Sequence, residues 1–455
     1  MSASDPFTAA GRSDGSVIAR HAGTVFVGQL AVMAFGVTDT LVAGRHSDAA
    51  LAALSVGSAL FVSVFVGLMG VLQALLPVWA ELHGAGRGAE IGLSVRQSLY
   101  VALVCMVLGC AALLAPAPLL HWAEVPPALR GEVTQYLAVL ALALPAALLF
   151  RLYGTLNQAL GKPVLVTWLQ LGGLALKLPL SVWFTFGGAG LPAGGAVGCA
   201  WATLAVQYAM LGVAWWTLRT RPLYRELAIW RRPEPPSWRR LAEFLRLGVP
   251  AGLAVLVEVT SFTLMALLIA RLGTVALASH QVAASLAAVL YMSPLSLGLA
   301  TSARVSWWLG QGQAARARAS LRTGLAMAAA SALLLAGAVA LLREPIARFY
   351  AGSAAVGAAA AGLLGWVALY HLADTLQAVS VFVLRSYRVT LLPLAVYGVL
   401  LWGLGLAGGN ALAYRGLGPW PALQSAAAFW IMAAAALALT ALVFLALLAR
   451  ITRAR

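Results

Sequence analysis

Three carboxylates stand in the middle of long apolar runs: Asp39, Glu258 and Asp374. An acid at the centre of a lipid-spanning helix costs roughly 2.5–3.5 kcal/mol on insertion scales, so an ionisable group there marks a candidate functional site. Phe262 follows Glu258 by four residues, Tyr370 precedes Asp374 by four and Gln377 follows it by three, so each acid shares a helix face with its companions. His280 and Tyr291 are eleven residues apart, close to three turns, and lie along one side. A carboxylate beside aromatic faces suits an organic cation, through charge pairing and a cation–π attraction of about 0.5–2 kcal/mol. The same oxygens suit Na⁺ or a proton. A site that holds either a small cation or an organic one, and not both together, has the chemistry of exchange. A fourth ionisable group, Lys177, shares its face with Gln170 and Ser181. A buried ammonium needs a counter-charge, and Asp39 is the only intramembrane acid in that half, so the two are expected to form a structural pair.

The elements that must carry these groups follow from composition. Of 455 residues, 62% are hydrophobic and 10% charged, and the mean hydropathy is +0.90; soluble domains run about 45–50% apolar and about 25% charged. Runs of about 20 apolar residues, the length that spans a bilayer, recur about twelve times between Ala22 and Ala449. Stretches such as 326–342 are apolar on every face, which excludes the alternating strands of an outer-membrane barrel. The expectation is an all-α membrane protein of about 12 transmembrane helices.

The longest polar interruption, 219–246, is rich in Arg and Pro and divides the chain into residues 1–228 and 229–455, an N-lobe and a C-lobe of six spans each. At an ungapped offset of 226 residues the halves match at Arg45/Arg271, Leu51/Leu277, Val56/Val282, Gly84/Gly310, Gly86/Gly312 and Arg96/Arg322. An even number of spans per copy makes the second enter the membrane in the same sense as the first, giving two parallel six-helix lobes. The acids break the symmetry: Asp39 aligns with Met265, and Glu258 with Val32.

A formal net charge of +16 would suggest nucleic acid in a soluble protein. Here most of the 30 Lys and Arg residues fall in alternate interhelical segments, which reads instead as orientation with both termini cytoplasmic. No nucleic-acid partner is expected; the bilayer is the partner, and the chain reads as a monomer in a bacterial inner membrane. Met1 to Arg20 is polar, without the apolar core of a cleavable signal. Cys105, Cys110 and Cys199 lie in apolar helices without metal-ligand spacing and read as buried apolar groups. The glycines around 84–86 and 310–312 lack the strand and the Lys-Ser/Thr of a phosphate loop. HExxH and GxSxG are absent, so no enzyme is expected, and no cofactor beyond a coupling ion.

The stretches GQLAVMAFGVTDTLVAGRHSDAALAALSVG, ALASHQVAASLAAVLYMSPLSLGLATSARVSWWLGQG, LADTLQAVSVFVLRSY and GVPAGLAVLVEVTSF closely resemble the NorM-like branch of the multidrug and toxic compound extrusion (MATE) family. That resemblance implies secondary active efflux of cationic amphipathic drugs and dyes in exchange for Na⁺ or H⁺. It places Asp39, Glu258 and Asp374 at positions of cation coupling, Glu258 and Asp374 being the candidate Na⁺ ligands. Phe262, Tyr291 and Tyr370 fall at cation- or drug-binding positions, and the amides of Gln281 and Gln377 are counted with them. Where asparagines are expected in relatives this chain has Lys177 and Ser181, so Lys177 is expected to replace a cation permanently beside Asp39. The nearest alternative is a lipid-linked precursor flippase of the same wider superfamily. That function favours a strongly cationic cavity, whereas only Arg151 and Lys177 are read as cations within spans.

Overall fold

The computed structural model describes residues 13–122, 125–188 and 190–454; the start of the polar segment, residues 1–12, lies outside them. Among the described residues, twelve helices are long and apolar enough to cross a membrane. They are α1 (Asp14–His46), α2 (Asp48–Gly84), α3 (Gly88–Leu114), α4 (Pro127–Ala159), α5 (Val164–Phe186) and α6 (Gly195–Thr220). The second half supplies α7 (Trp238–Ala270), α8 (Thr274–Gly310), α9 (Ala314–Tyr350), α10 (Ala354–Ser386), α11 (Leu391–Tyr414) and α12 (Ala427–Arg453).

The repeat is visible in these bounds, since α2 and α8 begin and end at the same 226-residue offset. So is its punctuation. Gly86 and Gly312 each follow the helix by two residues, with φ of +70° and +72°, a left-handed conformation that lets the chain reverse and that costs glycine nothing. Two helix starts carry a hydroxyl cap: Ser47 accepts from Ala50 N at 3.0 Å, and Ser353 from Val356 N at 3.3 Å.

By packing the chain forms two compact units, one of residues 27–252, the other of residues 253–455 together with the segment up to residue 26. In the first, α4 is the central helix and packs against α2, α3 and α6. In the second, α10 holds the same place, against α8, α9 and α12. The start of α1 belongs to that second unit, where Ile18 and Ala22 pack with Leu297, Ala300, Ala328 and Val379. Large apolar side chains such as Leu334, Leu341 and Leu442 are more than half exposed, as expected of surfaces whose solvent is lipid. This is a multi-pass membrane protein.

Residues Gly398–Ala407 of α11 wind as a π-helix. Such segments are rare and are frequent at functional sites; this one faces the cleft described next.

Candidate functional site

In the unit of residues 253–455 the acids, amide and aromatics come from α7, α8, α10, α11 and α12. Because α10 is packed on several sides, its inward residues are dry: Asp374 is 2% exposed and Gln377 is fully buried. Gln377 Nε2 donates to Asp374 Oδ1 at 2.9 Å, and its Oε1 accepts from the Tyr397 hydroxyl of α11. One buried amide thus ties α10 to α11, and each of its polar groups has a partner, as burial requires. The Glu258 carboxylate on α7 is near enough to Asp374 for their charges to interact.

Glu258 is half-buried and opens on a small cleft lined by Phe262, Met265, Tyr370 and, from the π-helical segment, Leu401, Gly405 and Leu406. The aromatic wall is a set of edge-on contacts. Phe262 and Tyr370 have ring centres 6.0 Å apart, Tyr370 and Trp430 5.4 Å, and Phe262 and Trp430 6.1 Å, with interplanar angles of 60° to 76°. His280 joins from α8 at 5.8 Å from Trp430. Of these rings Phe262 and Tyr370 line the cleft beside Glu258, the position from which an aromatic ring attracts a cation.

The structure therefore brings Glu258, Asp374, Phe262, Tyr370 and Gln377 together. Tyr291 is half-buried on α8, near enough to both acids for their charges to act on its hydroxyl. Gln281 is not part of this cluster: it is exposed and makes no side-chain hydrogen bond among the described residues. Sequence reading missed Trp430 and Tyr397. It also read only Arg151 and Lys177 as cations within spans, whereas Arg96, Arg304 and Arg385 are buried in helices as well. They lie within α3, α8 and α10 and are 6%, 3% and 4% exposed. Arg385 is near enough to Glu258 for charge interaction, and its Nη1 has no hydrogen-bond partner among the described residues.

In the unit of residues 27–252, Lys177 of α5 is fully buried. Its Nζ donates to Thr203 Oγ1 at 2.6 Å, to the Cys199 carbonyl at 3.1 Å and to Asp39 Oδ1 at 2.8 Å. All three ammonium hydrogens are used. Ser181 Oγ adds a donor to the same Asp39 oxygen at 3.1 Å. Among the described residues no group of three or more His, Cys, Asp or Glu side chains is arranged to hold a metal ion, so a small cation in either unit meets at most a pair of carboxylates.

This arrangement of helices is that of solved MATE transporters. Superposition gives a TM-score of 0.86 with a crystal structure of a MATE in the straight conformation, at 16% identity over 97% of this chain and 97% of that one. With the eukaryotic MATE transporter AtDTX14 the score is 0.85, at 18% identity over 98% and 96%. The MatE family model matches twice, at residues 25–183 and 250–409. The chain belongs to the MatE family. It is 36% identical to a probable multidrug resistance protein NorM of Aromatoleum aromaticum over 96% of this chain and 93% of the relative. It is 34% identical to the multidrug resistance protein PmpM of Pseudomonas aeruginosa over 88% and 83%.

Proposed function

We propose that this protein is a secondary active multidrug efflux antiporter of the bacterial inner membrane, with both termini cytoplasmic, exporting cationic amphipathic compounds in exchange for Na⁺ or H⁺. The observation that carries the reading is the closeness of Glu258 to Asp374, which Gln377 holds, beside a wall of edge-on aromatics. Two acids close together among apolar helices can be neutralised by a proton, a Na⁺ ion or an organic cation. The aromatic faces retain only the last. The relatives' names, multidrug resistance proteins NorM and PmpM, support the substrate class. A flippase for an anionic lipid-linked substrate fits less well, because the cleft is bordered by carboxylate and ring rather than by a cluster of cations.

Coupling rests on Glu258 and Asp374, while the Lys177 ammonium takes permanently the place of a cation at Asp39. The test is efflux of a fluorescent cationic dye from proteoliposomes under an imposed Na⁺ or proton gradient, with Glu258→Gln and Asp374→Asn alongside. Dye movement driven by one gradient and lost in both variants identifies the ion. No movement under either gradient, in protein shown to be folded, overturns the proposal.

A further inference from the structure

The two halves treat one repeated arginine differently. In the first, Arg96 of α3 is neutralised by the segment that follows α6: its Nε and Nη2 donate to the two Glu234 oxygens at 2.8 and 2.5 Å, and its Nη1 to the Ala228 carbonyl. Gly92, one turn earlier, makes room for that segment, since a Cβ there would collide with the Leu227 carbonyl oxygen. At the 226-residue offset Arg96 becomes Arg322 and Gly92 becomes Arg318. The glycine that admits a protein carboxylate is replaced by a second cation.

No carboxylate pairs with Arg318, Arg322 or Arg453 among the described residues. Arg318 donates only to the Thr452 carbonyl, at 3.1 Å, and Arg322 and Arg453 are exposed. The nearby acid Asp14 is already held by Arg304, Trp308 and Ser320. The three arginines line a cavity of about 230 Å³ between the first turns of α9 and the last turns of α12. Toward the middle of the helices its walls become apolar: Leu321 and Leu325 on one side, Leu445 and Leu448 on the other, at successive helical turns. The volume is below the roughly 300–1,000 Å³ of pockets that enclose drug-sized ligands.

We propose that this groove binds an anionic glycerophospholipid. The phosphate stands where Glu234 stands in the first half, and the start of an acyl chain lies along Leu325 and Leu445. A basic notch between membrane helices that grades into an apolar groove matches such a lipid in both charge and shape. The site is independent of the transport reading, since binding is measured without a gradient or a drug.

The test is lipid retention by the full-length protein in detergent, read by native mass spectrometry with phosphatidylglycerol, phosphatidylcholine or inorganic phosphate. The wild type is expected to retain phosphatidylglycerol in preference to phosphatidylcholine, with phosphate alone failing to displace it. The triple variant Arg318→Gln/Arg322→Gln/Arg453→Gln should weaken retention about tenfold or more. Ala449→Glu, at an exposed lining position, places a carboxylate in the notch and should expel the lipid with the helical circular dichroism unchanged. Equal retention of the two lipids, displacement by phosphate alone, or undiminished retention by either folded variant overturns the proposal.

Discussion

The Lys177 ammonium lies 2.8 Å from Asp39 Oδ1 with Lys177 wholly shielded and Asp39 only 7% exposed. Neither charge has water to fall back on, so each depends on the other and on Thr203, Ser181 and the Cys199 carbonyl for its solvation.

Lys177→Met is accordingly expected to destabilise the protein by about 3–5 kcal/mol, the scale of an uncompensated buried charge. Lys177→Met/Asp39→Asn should recover much of that loss. Thermal midpoints of the purified variants decide the matter: a single variant as stable as the wild type would show the pair to be incidental. Unchanged dye transport by that variant would argue against its role as a resident cation.

Phe262 lines the cleft beside Glu258 and meets both Tyr370 and Trp430. Phe262→Leu keeps apolar bulk and removes the ring face, so apparent dye affinity should fall about 2- to 30-fold, equivalent to about 0.5–2 kcal/mol of cation–π attraction. The ion dependence should be preserved. An unchanged KM for a cationic dye would remove the aromatic wall from substrate recognition.

Tyr397→Phe deletes the hydroxyl that donates to Gln377. The expected loss of stability is about 1–3 kcal/mol, because a buried amide oxygen is left without its donor. Transport should fall with it, since the same amide orients Asp374. Stability without change, read from thermal unfolding, would mean that the amide finds another partner.

Outside the membrane-spanning helices, Glu234 is a carboxyl whose titration has a definite sign. Its hydrogen bonds from Arg96 hold the carboxyl at about 2, below the ordinary glutamate value of 4.5. A carboxyl depressed in the folded state contributes stability that is fully present above about pH 4.5 and is lost as the pH falls toward 2. The difference in thermal midpoint between the wild type and Glu234→Gln should thus be full at neutral pH and shrink as the pH falls through this window. A difference that is flat across it would rule out the ion pair as its cause.

Gly86 and Gly312 adopt left-handed backbone with open space around the missing Cβ. Alanine at either should cost about 1–2 kcal/mol through conformation alone, and asparagine less, since it tolerates this region. Equal costs for both substitutions would point to a steric cause instead.

The helical framework was legible because lipid imposes length: twelve spans and the 226-residue repeat follow from apolar runs and from Arg and Gly pairs at one register. The acids were legible because a charge in such a run has no inexpensive explanation. Trp430 and Tyr397 were not, since an aromatic in an evenly apolar helix leaves no periodic contrast to say which way it points. The π-helical turn of α11 is invisible for the same reason. Arg385 was misplaced because its position near a helix end looks like an interhelical segment, and only packing shows that it is buried in the last turn of α10. Gln281, a polar residue on α8 counted with the site from its sequence, is exposed and makes no hydrogen bond to the cluster among the described residues.

The helix that bears Asp374, Gln377 and Tyr370 is also the one that α8, α9 and α12 pack around. The site is mounted on the hub rather than on a peripheral strut. A side-chain event on an outer helix can be absorbed by that helix alone. One on α10 cannot, because close-packed interfaces slide or hold rather than stretch. Whatever occupies the space beside Asp374 therefore works with the longest lever the unit offers, and replacing one occupant by another acts on its whole helical wall together.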